Sequence, residues 1–460
     1  VGELFATEQL APIPDTGWRT PTEWPRVRDF PEISIDLETY DPELTTKGPG
    51  WATKNGHIVG IAVGTPDGRR WYFPMRHEVG GGNLDAQMVL KWARDELTRP
   101  GQLKIGANLL YDLGWLAAEG VDVPGPFYDV LLAEALIDEN HYKYNLERVS
   151  QKYIGEGKLD KPMWEWAAKA YGGKPTEEAQ KGRIHKIPAM LVGPYAEGDV
   201  DLPLRIREKQ VDTIEAEGLA DVCDLEHRLT PCLLAMKREG VRVDMGARDA
   251  LSTQLQEMEE TAQRKLGKIN VYSPQDLERY FTKQGVTFPR TAKGNPSFTE
   301  EWLGSCSAPA AQLINQVRKA MKLRGTFVDG YFEMVEGGRI RPNYHQVKSD
   351  GGGTVSGRMA SSNINVQNIP TRDPQWGKMI RALFVPNEGE DWAKLDYAQI
   401  EPRLTLHYAR GEAADRVRAM YANDPALDCY RAMIDQMGTT MERSPFKAVF
   451  LGLSYSMGQA

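Results

Sequence analysis

The sequence predicts a mixed α/β chain: a layered domain over roughly residues 30–205, then a mainly helical C-terminal half. Three observations carry this. First, Glu32–Glu38 has a strand pattern, and two more strand-like runs follow, His57–Gly64 and Arg69–Met75. Pro66-Asp67-Gly68 between them is turn chemistry suited to a hairpin. Second, helix and strand patterns then alternate: Ala86–Leu97 reads as an amphipathic helix, Leu103–Ala107 as a short buried strand and Tyr111–Glu119 as a helix. Third, helical patterns continue to about Gln210 and dominate residues 206–270, broken at Glu239–Asp244 by a helix stop and a strand-like piece.

The remaining elements follow in order. Val1–Arg28 is Pro-rich and polar and reads as an irregular lead-in. Residues 273–345 alternate helices with Gly- and Pro-bearing turns, and Ser349–Thr354 is a glycine loop. Trp392–Tyr397 reads as a strand, Ile400–Ala409 as a helix with Pro402 in its first turn, and Glu442–Met457 as a final helix.

The 460 residues, 41% hydrophobic and 26% charged, fit about three domains of an ordinary globular protein and exclude a fibre or a disulfide miniprotein. No apolar run approaches the 18 or so residues of a membrane span. Val1–Gln9 lacks the layout of a signal peptide. Cys223, Cys232, Cys306 and Cys429 form no CxxC pair, so reduced thiols in a cytoplasmic setting, without zinc, are expected.

The net charge is −8, yet Arg318–Arg381 holds 11 Lys/Arg against 5 Asp/Glu, a net of +6 that leaves −14 elsewhere. Such a stretch is either a footprint for phosphates or an uneven solvated surface.

Two constellations carry chemistry. In the first, Asp36 and Glu38 lie two apart on a strand and so on one face. Paired carboxylates repel unless a cation such as Mg²⁺ or Mn²⁺ lies between them, the alternative being a solvated edge-strand pair. Asp112 follows the next buried strand-like run, and Tyr195 and Asp199 are four apart on one helical face. A helix N-terminal acid and a core aromatic are the plainer readings of Asp112 and Tyr195. In the second, Leu395-Asp-Tyr-Ala-Gln-Ile-Glu-Pro-Arg403 sets an acid at the end of a strand running into a helix. Arg443, Lys447, Leu451 and Tyr455 follow at spacing four. Two cations on one face suit a triphosphate, or else form a solvated basic face with Leu and Tyr in the core.

The set Asp36-Leu-Glu38, Asn108-x-x-x-Asp112 and Tyr195-x-x-x-Asp199 resembles the three motifs of DnaQ-like 3′–5′ exonucleases, in the version found in family A DNA polymerases of the bacterial DNA polymerase I type. The resemblance implies an RNase H-like fold, two divalent cations held by Asp36, Glu38, Asp112 and Asp199, and a water-orienting Tyr195. Leu395–Arg403 resembles motif A of that family. Asp396 is then a catalytic metal ligand, the Tyr397 carbonyl lies beside it, and Glu401 crowds the sugar 2′ position. Arg443–Tyr455 resembles motif B: Arg443 and Lys447 for the triphosphate, Tyr455 beside the nascent pair. Leu451 stands where the family usually has Phe or Tyr, Ser456 replaces the usual Gly, and Pro402 departs from the commoner aliphatic residue.

Thr354–Ser362, Asn365–Pro370 and Tyr344-His345-Gln346 resemble the primer–template segment. His345 belongs to it, and Arg358, Gln367 and Asn368 suit minor-groove acceptors shared by all base pairs. Arg318, Lys319, Lys322, Arg324, Lys348 and Arg381 are candidates for phosphates. The implied domains are an arm (1–30), the exonuclease (31–205), a mostly helical thumb with the start of the palm (206–345), a palm segment (346–410) and partial fingers (411–460). The implied partners are primer–template DNA, dNTPs and single-stranded 3′ ends, without a membrane. The compact form resembles bacteriophage replication polymerases, whose setting is the bacterial cytoplasm.

The family's second palm carboxylate, in motif C, is expected beyond Ala460, in a remainder of the chain or on a second polypeptide. The chain alone is then expected to proofread or bind DNA without polymerising. A dedicated exonuclease that only holds DNA through its C-terminal half, and a non-catalytic DNA-binding subunit, are the competing readings.

Overall fold

Strand β1 (Glu32–Tyr40) has two working faces. Ile33, Ile35 and Leu37 enter an apolar core with Val63, Phe73, Trp92 and Leu113, and the alternate residues Ser34, Asp36 and Glu38 face the other way. This computed structural model describes residues 11–141, 143–348, 353–371, 373 and 375–455. The chain divides into two compact units, one ending at Val385 and one beginning at Pro386.

In the first unit β2 (His57–Gly64), β3 (Arg70–Pro74), β4 (Leu103–Gly106) and β5 (Phe127–Asp129) complete a sheet of order β3-β2-β1-β4-β5. The β1–β2 and β2–β3 pairings are antiparallel, and β1–β4 and β4–β5 parallel. The β2–β3 turn is the expected one: Gly68 N–H bonds the Thr65 carbonyl at 3.0 Å and Gly68 takes φ +84°. Asp85 caps the helix Ala86–Leu97 through Met88 N–H. The helix Leu109–Ala118 starts from Asn108, which adopts φ +66°.

The helix Ala189–Ala216 packs on the Asp36 face of the sheet, where Ala62 and Tyr72 share a core with Leu191, Tyr195 and Val200. Pro194 inside this helix cannot bond the carbonyl of Met190, and the Thr16 hydroxyl donates to that oxygen at 2.7 Å instead. The described part of the N-terminal arm is irregular up to the turn at Val27–Asp29, as expected, but it is held against the domain. Trp18 donates to Glu197 at 2.8 Å and Trp24 stacks on Phe73. The arm's tryptophans, hidden among prolines, tie it down. Residues 1–10 of the expected lead-in lie outside the described residues.

Gly240, at φ +62°, ends the helix Ala220–Glu239, and Asp244 caps Met245–Leu266. The strand-like piece between them shrinks to β6 (Val241–Arg242), paired with β7 (Arg339–Ile340). The helices Met245–Leu266 and Pro309–Lys322 build two further cores, around Leu255, Phe327 and Ile380 and around Phe281 and Ile314. A small ladder of β8 (Asn343–His345) and β9 (Ala360–Ser362) follows. Positions 349–352 of the expected glycine loop lie outside the described residues.

The second unit carries helices Ile400–Tyr408, Glu412–Asn423, Cys429–Met437 and Arg443–Ser454 around a small core of Cys429, Tyr430 and Phe446. Trp392–Tyr397 is not a strand. Among the described residues no segment pairs with it, and Leu395 is 93% exposed. A strand pattern needs a neighbour for its backbone groups, and local propensity cannot supply one.

Candidate functional site

Asp36 and Glu38 lie on the β1 face turned to the helix Ala189–Ala216. Asp112 occupies the first turn of Leu109–Ala118, whose start is anchored by Asp129 accepting Leu109 N–H at 2.7 Å. Tyr195 and Asp199 come from consecutive turns of Ala189–Ala216. Glu38, Asp112, Asp199 and Tyr195 are buried and Asp36 is half-buried. The structure thus brings the five N-terminal site residues together from one strand and two helices that pack on opposite faces of its sheet.

The acids feel one another. Burial, then the Asp199 charge, pushes the Asp36 carboxyl up to about 7. Burial and then Asp36 raise Glu38, and burial followed by Asp36, Asp129 and Glu38 raises Asp112. Burial also raises Asp199, against the pull of Lys158. Burial, then Asp199, pushes the Tyr195 phenol well up, so it stays a proton donor at neutral pH.

Among the described residues no three His, Cys, Asp or Glu side chains converge as a ready cation cage. The donor set still fits a hard divalent cation. The four carboxyl groups lie near enough to perturb one another, and Glu38 Oε1 and Asp199 Oδ1 are buried without a hydrogen-bond partner. The Lys158 ammonium sits among these acids, 2.6 Å from Asp199 Oδ2 and 3.0 Å from Tyr195 Oη. Sequence reasoning missed Lys158. It follows Gly155-Glu156-Gly157, a loop without period or motif.

In the second unit Tyr455 Oη donates to Glu401 Oε1 at 3.0 Å. Arg443, the first residue of its helix, bonds Asp428 Oδ2 at 2.5 Å, and the Tyr430 ring lies 5.3 Å from its guanidinium and 5.9 Å from the Lys447 ammonium. Arg443, Lys447 and Leu451 share the helix, and Tyr455 lies just past its end. Asp396 and Tyr397 are exposed on the extended segment, so Asp396 does not end a strand as expected. Ser456 lies outside the described residues.

The proposed DNA contacts gather around β8 and β9. His345 Nε2 and Ser362 Oγ are 2.6 Å apart, and Gln367 donates to the Met359 carbonyl at 2.9 Å. Arg358, Gln367 and Asn368 are exposed. The basic stretch is partly internal. Arg318 donates to the Val271 and Phe298 carbonyls, Lys319 pairs with Asp373 and Arg324 with Glu259. Charge counting cannot see such partners.

Residues 245–460 match the family model of DNA polymerase family A. The chain is 35% identical over 457 residues to a DNA-directed DNA polymerase of Pseudomonas phage M6, covering 93% of this chain and 67% of that protein. It is 28% identical to DNA polymerase DpoZ of Acinetobacter phage SH-Ab 15497, covering 95% and 71% of the two chains. DNA polymerase I of Pseudomonas aeruginosa is 29% identical, with 92% and 46% covered. The POL domain of Pol1 from M. smegmatis, solved in complex with DNA primer-template and dNTP, shares the fold at a TM-score of 0.66 and 20% identity, covering 93% of this chain and 68% of that one.

Proposed function

The chain belongs to DNA polymerase family A, and from that premise we propose that it carries a second, hydrolytic site, a 3′–5′ proofreading exonuclease centred on Asp36, Glu38, Asp112, Tyr195 and Asp199. The observation that carries this reading is the buried acid cluster with its unpartnered oxygens Glu38 Oε1 and Asp199 Oδ1. It lies within residues 31–205, read as an RNase H-like domain and outside the 245–460 match. Asp36, Glu38, Asp112 and Asp199 are the ligands proposed for Mg²⁺ or Mn²⁺. Bound there, such cations lower the pKa of a water and stabilise the leaving oxygen of a phosphodiester. The Tyr195 phenol orients the attacking water, and the apolar wall of Ala62, Leu191 and Val200 limits access of other water. The substrate is a single-stranded 3′ end, reached most easily from a mismatched primer because a mismatch costs less to unpair.

The second unit is read as the nucleotide site: Asp396 for metal, the Tyr397 carbonyl, Glu401 and Leu451 near the sugar, Arg443 and Lys447 for the triphosphate, Tyr455 beside the base. His345, Arg358, Gln367 and Asn368 are read as the grip on primer–template DNA. The domain reading follows: thumb and start of palm over 206–345, palm segment over 346–410, fingers over 411–460. No helix among the described residues is long and apolar enough to cross a membrane, and the proposed setting is the cytoplasm of a bacterial host.

The test is a 5′-labelled single strand incubated with the chain and Mg²⁺. Stepwise shortening from the 3′ end, reduced at least ~100-fold by Asp36→Ala, supports the reading. Shortening that Asp36→Ala leaves unchanged removes it.

A further inference from the structure

Lys158 lies between the loop Gly155–Gly157 and the helix Lys161–Tyr171. Its side chain is only 13% exposed, and its ammonium contacts Asp199 Oδ2 at 2.6 Å and Tyr195 Oη at 3.0 Å, 4.8 Å from the Tyr195 ring centroid. Burying an ammonium is costly unless it is paired. Here it is paired directly with Asp199 and lies within electrostatic reach of Asp36 and Glu38. The other cation felt by these acids, Lys181, is 61% exposed and bound to Glu177 at 3.1 Å, so solvent weakens its effect.

We propose that Lys158 is a positioning residue: an internal counter-cation that ties Tyr195 to Asp199, holds the acid cluster together without metal, and competes with divalent cations for the same carboxylates. The inference rests on the hydrolytic reading of the cluster and adds a residue to it. The geometry leaves Asp199 Oδ1 and Glu38 Oε1 free while Lys158 takes Asp199 Oδ2. An incoming cation therefore finds Glu38 Oε1 and Asp199 Oδ1 open, with Asp199 Oδ2 already held. A lysine suits the task because its flexible stem can withdraw a compact charge without moving the backbone. The ammonium lowers the attraction of the acids for a second cation, and in exchange it offsets their mutual repulsion in the metal-free domain.

The test is Mn²⁺ titration of the full chain by calorimetry, with melting curves in EDTA and in Mn²⁺. Removing a charge beside the acids in Lys158→Met is expected to tighten Mn²⁺ binding about tenfold while lowering the melting temperature in EDTA. Lys158→Arg, which keeps the charge, is expected to stay within about twofold of the parent in affinity. Lys158→Gln replaces the Met variant should the latter not fold. A purely structural lysine would lower stability and would not tighten metal binding. If the parent binds Mn²⁺ in a manner abolished by Asp36→Ala, but neither neutral Lys158 variant binds it more tightly, this inference alone is overturned. If the parent shows no Mn²⁺ binding sensitive to Asp36→Ala, the hydrolytic reading falls and this inference falls with it.

Discussion

Tyr455 donates its phenol proton to Glu401 Oε1 at 3.0 Å, joining residues 54 positions apart. The bond links the end of the helix Arg443–Ser454 to the first turn of Ile400–Tyr408. Being exposed, it contributes little to stability, and Tyr455→Phe is expected to shift the melting temperature by no more than about 1 °C. Its value lies in fixing Glu401. With the proposed nucleotide role, Tyr455→Phe is expected to reduce the preference for dNTP over rNTP severalfold in equilibrium binding to a primer–template complex.

Asp112 is a site where the proposed function opposes stability. It is buried beside Asp36, Glu38 and Asp129, all of which disfavour its charge. Asp112→Asn keeps the shape and the acceptor oxygen but removes the repulsion. It is expected to raise the melting temperature in EDTA by about 2–4 °C, for roughly 1 kcal/mol, while abolishing strand shortening. Scanning calorimetry beside the labelled-strand assay checks both halves.

His77 gives a pH dependence of known sign. Its Nδ1 lies 2.7 Å from the Ile187 carbonyl and its Nε2 2.8 Å from Tyr72 Oη. Burial lowers its pKa from 6.5 to about 4. The folded state therefore binds the proton less well than the unfolded chain. The associated stability is complete above about pH 6.5 and drains away as pH falls toward 4, by about 3 kcal/mol in all. In urea unfolding the advantage of the parent over His77→Gln is expected to shrink by about 2 kcal/mol between pH 7 and pH 5. A constant gap would remove this assignment.

Gly114 is required by a close approach. A Cβ at this position would sit 2.3 Å from Cε2 of Trp51 in the core beneath β1. Gly114→Ala is expected to cost about 1–3 kcal/mol despite its better helix propensity, measured by denaturant unfolding.

Asp428 serves two partners. It accepts Tyr430 and Arg431 N–H at the start of Cys429–Met437 and bonds Arg443. Asp428→Ala removes a cap worth about 1 kcal/mol and is expected to raise amide exchange over residues 429–437 about fivefold, read by mass spectrometry.

The sheet was legible because its signals are local. β1, the Thr65–Gly68 turn and the Ala86–Leu97 helix follow from alternation, turn residues and a cap. That Asp36 and Glu38 share a strand face, and Tyr195 and Asp199 a helix face, was legible from spacing; that Asp112 joins them was suggested by the resemblance alone. Lys158 was not, because a lysine in a glycine loop gains meaning only from the acids the fold brings beside it. Trp392–Tyr397 misled for the related reason that a strand is completed by a partner. The partners of Arg318 and Lys319 were hidden in the same way, since they are carbonyls and an acid distant in sequence.

The most direct measurement is hydrolysis of a 5′-labelled primer annealed to a template, ending in a matched or a mismatched pair, with Mg²⁺ and without dNTPs. Faster shortening of the mismatched end by the parent chain, lost in both Asp36→Ala and Asp199→Asn, is the expected result. Equal shortening by parent and variants, or none by the parent on either end, would contradict the assignment of the acid cluster as a proofreading site.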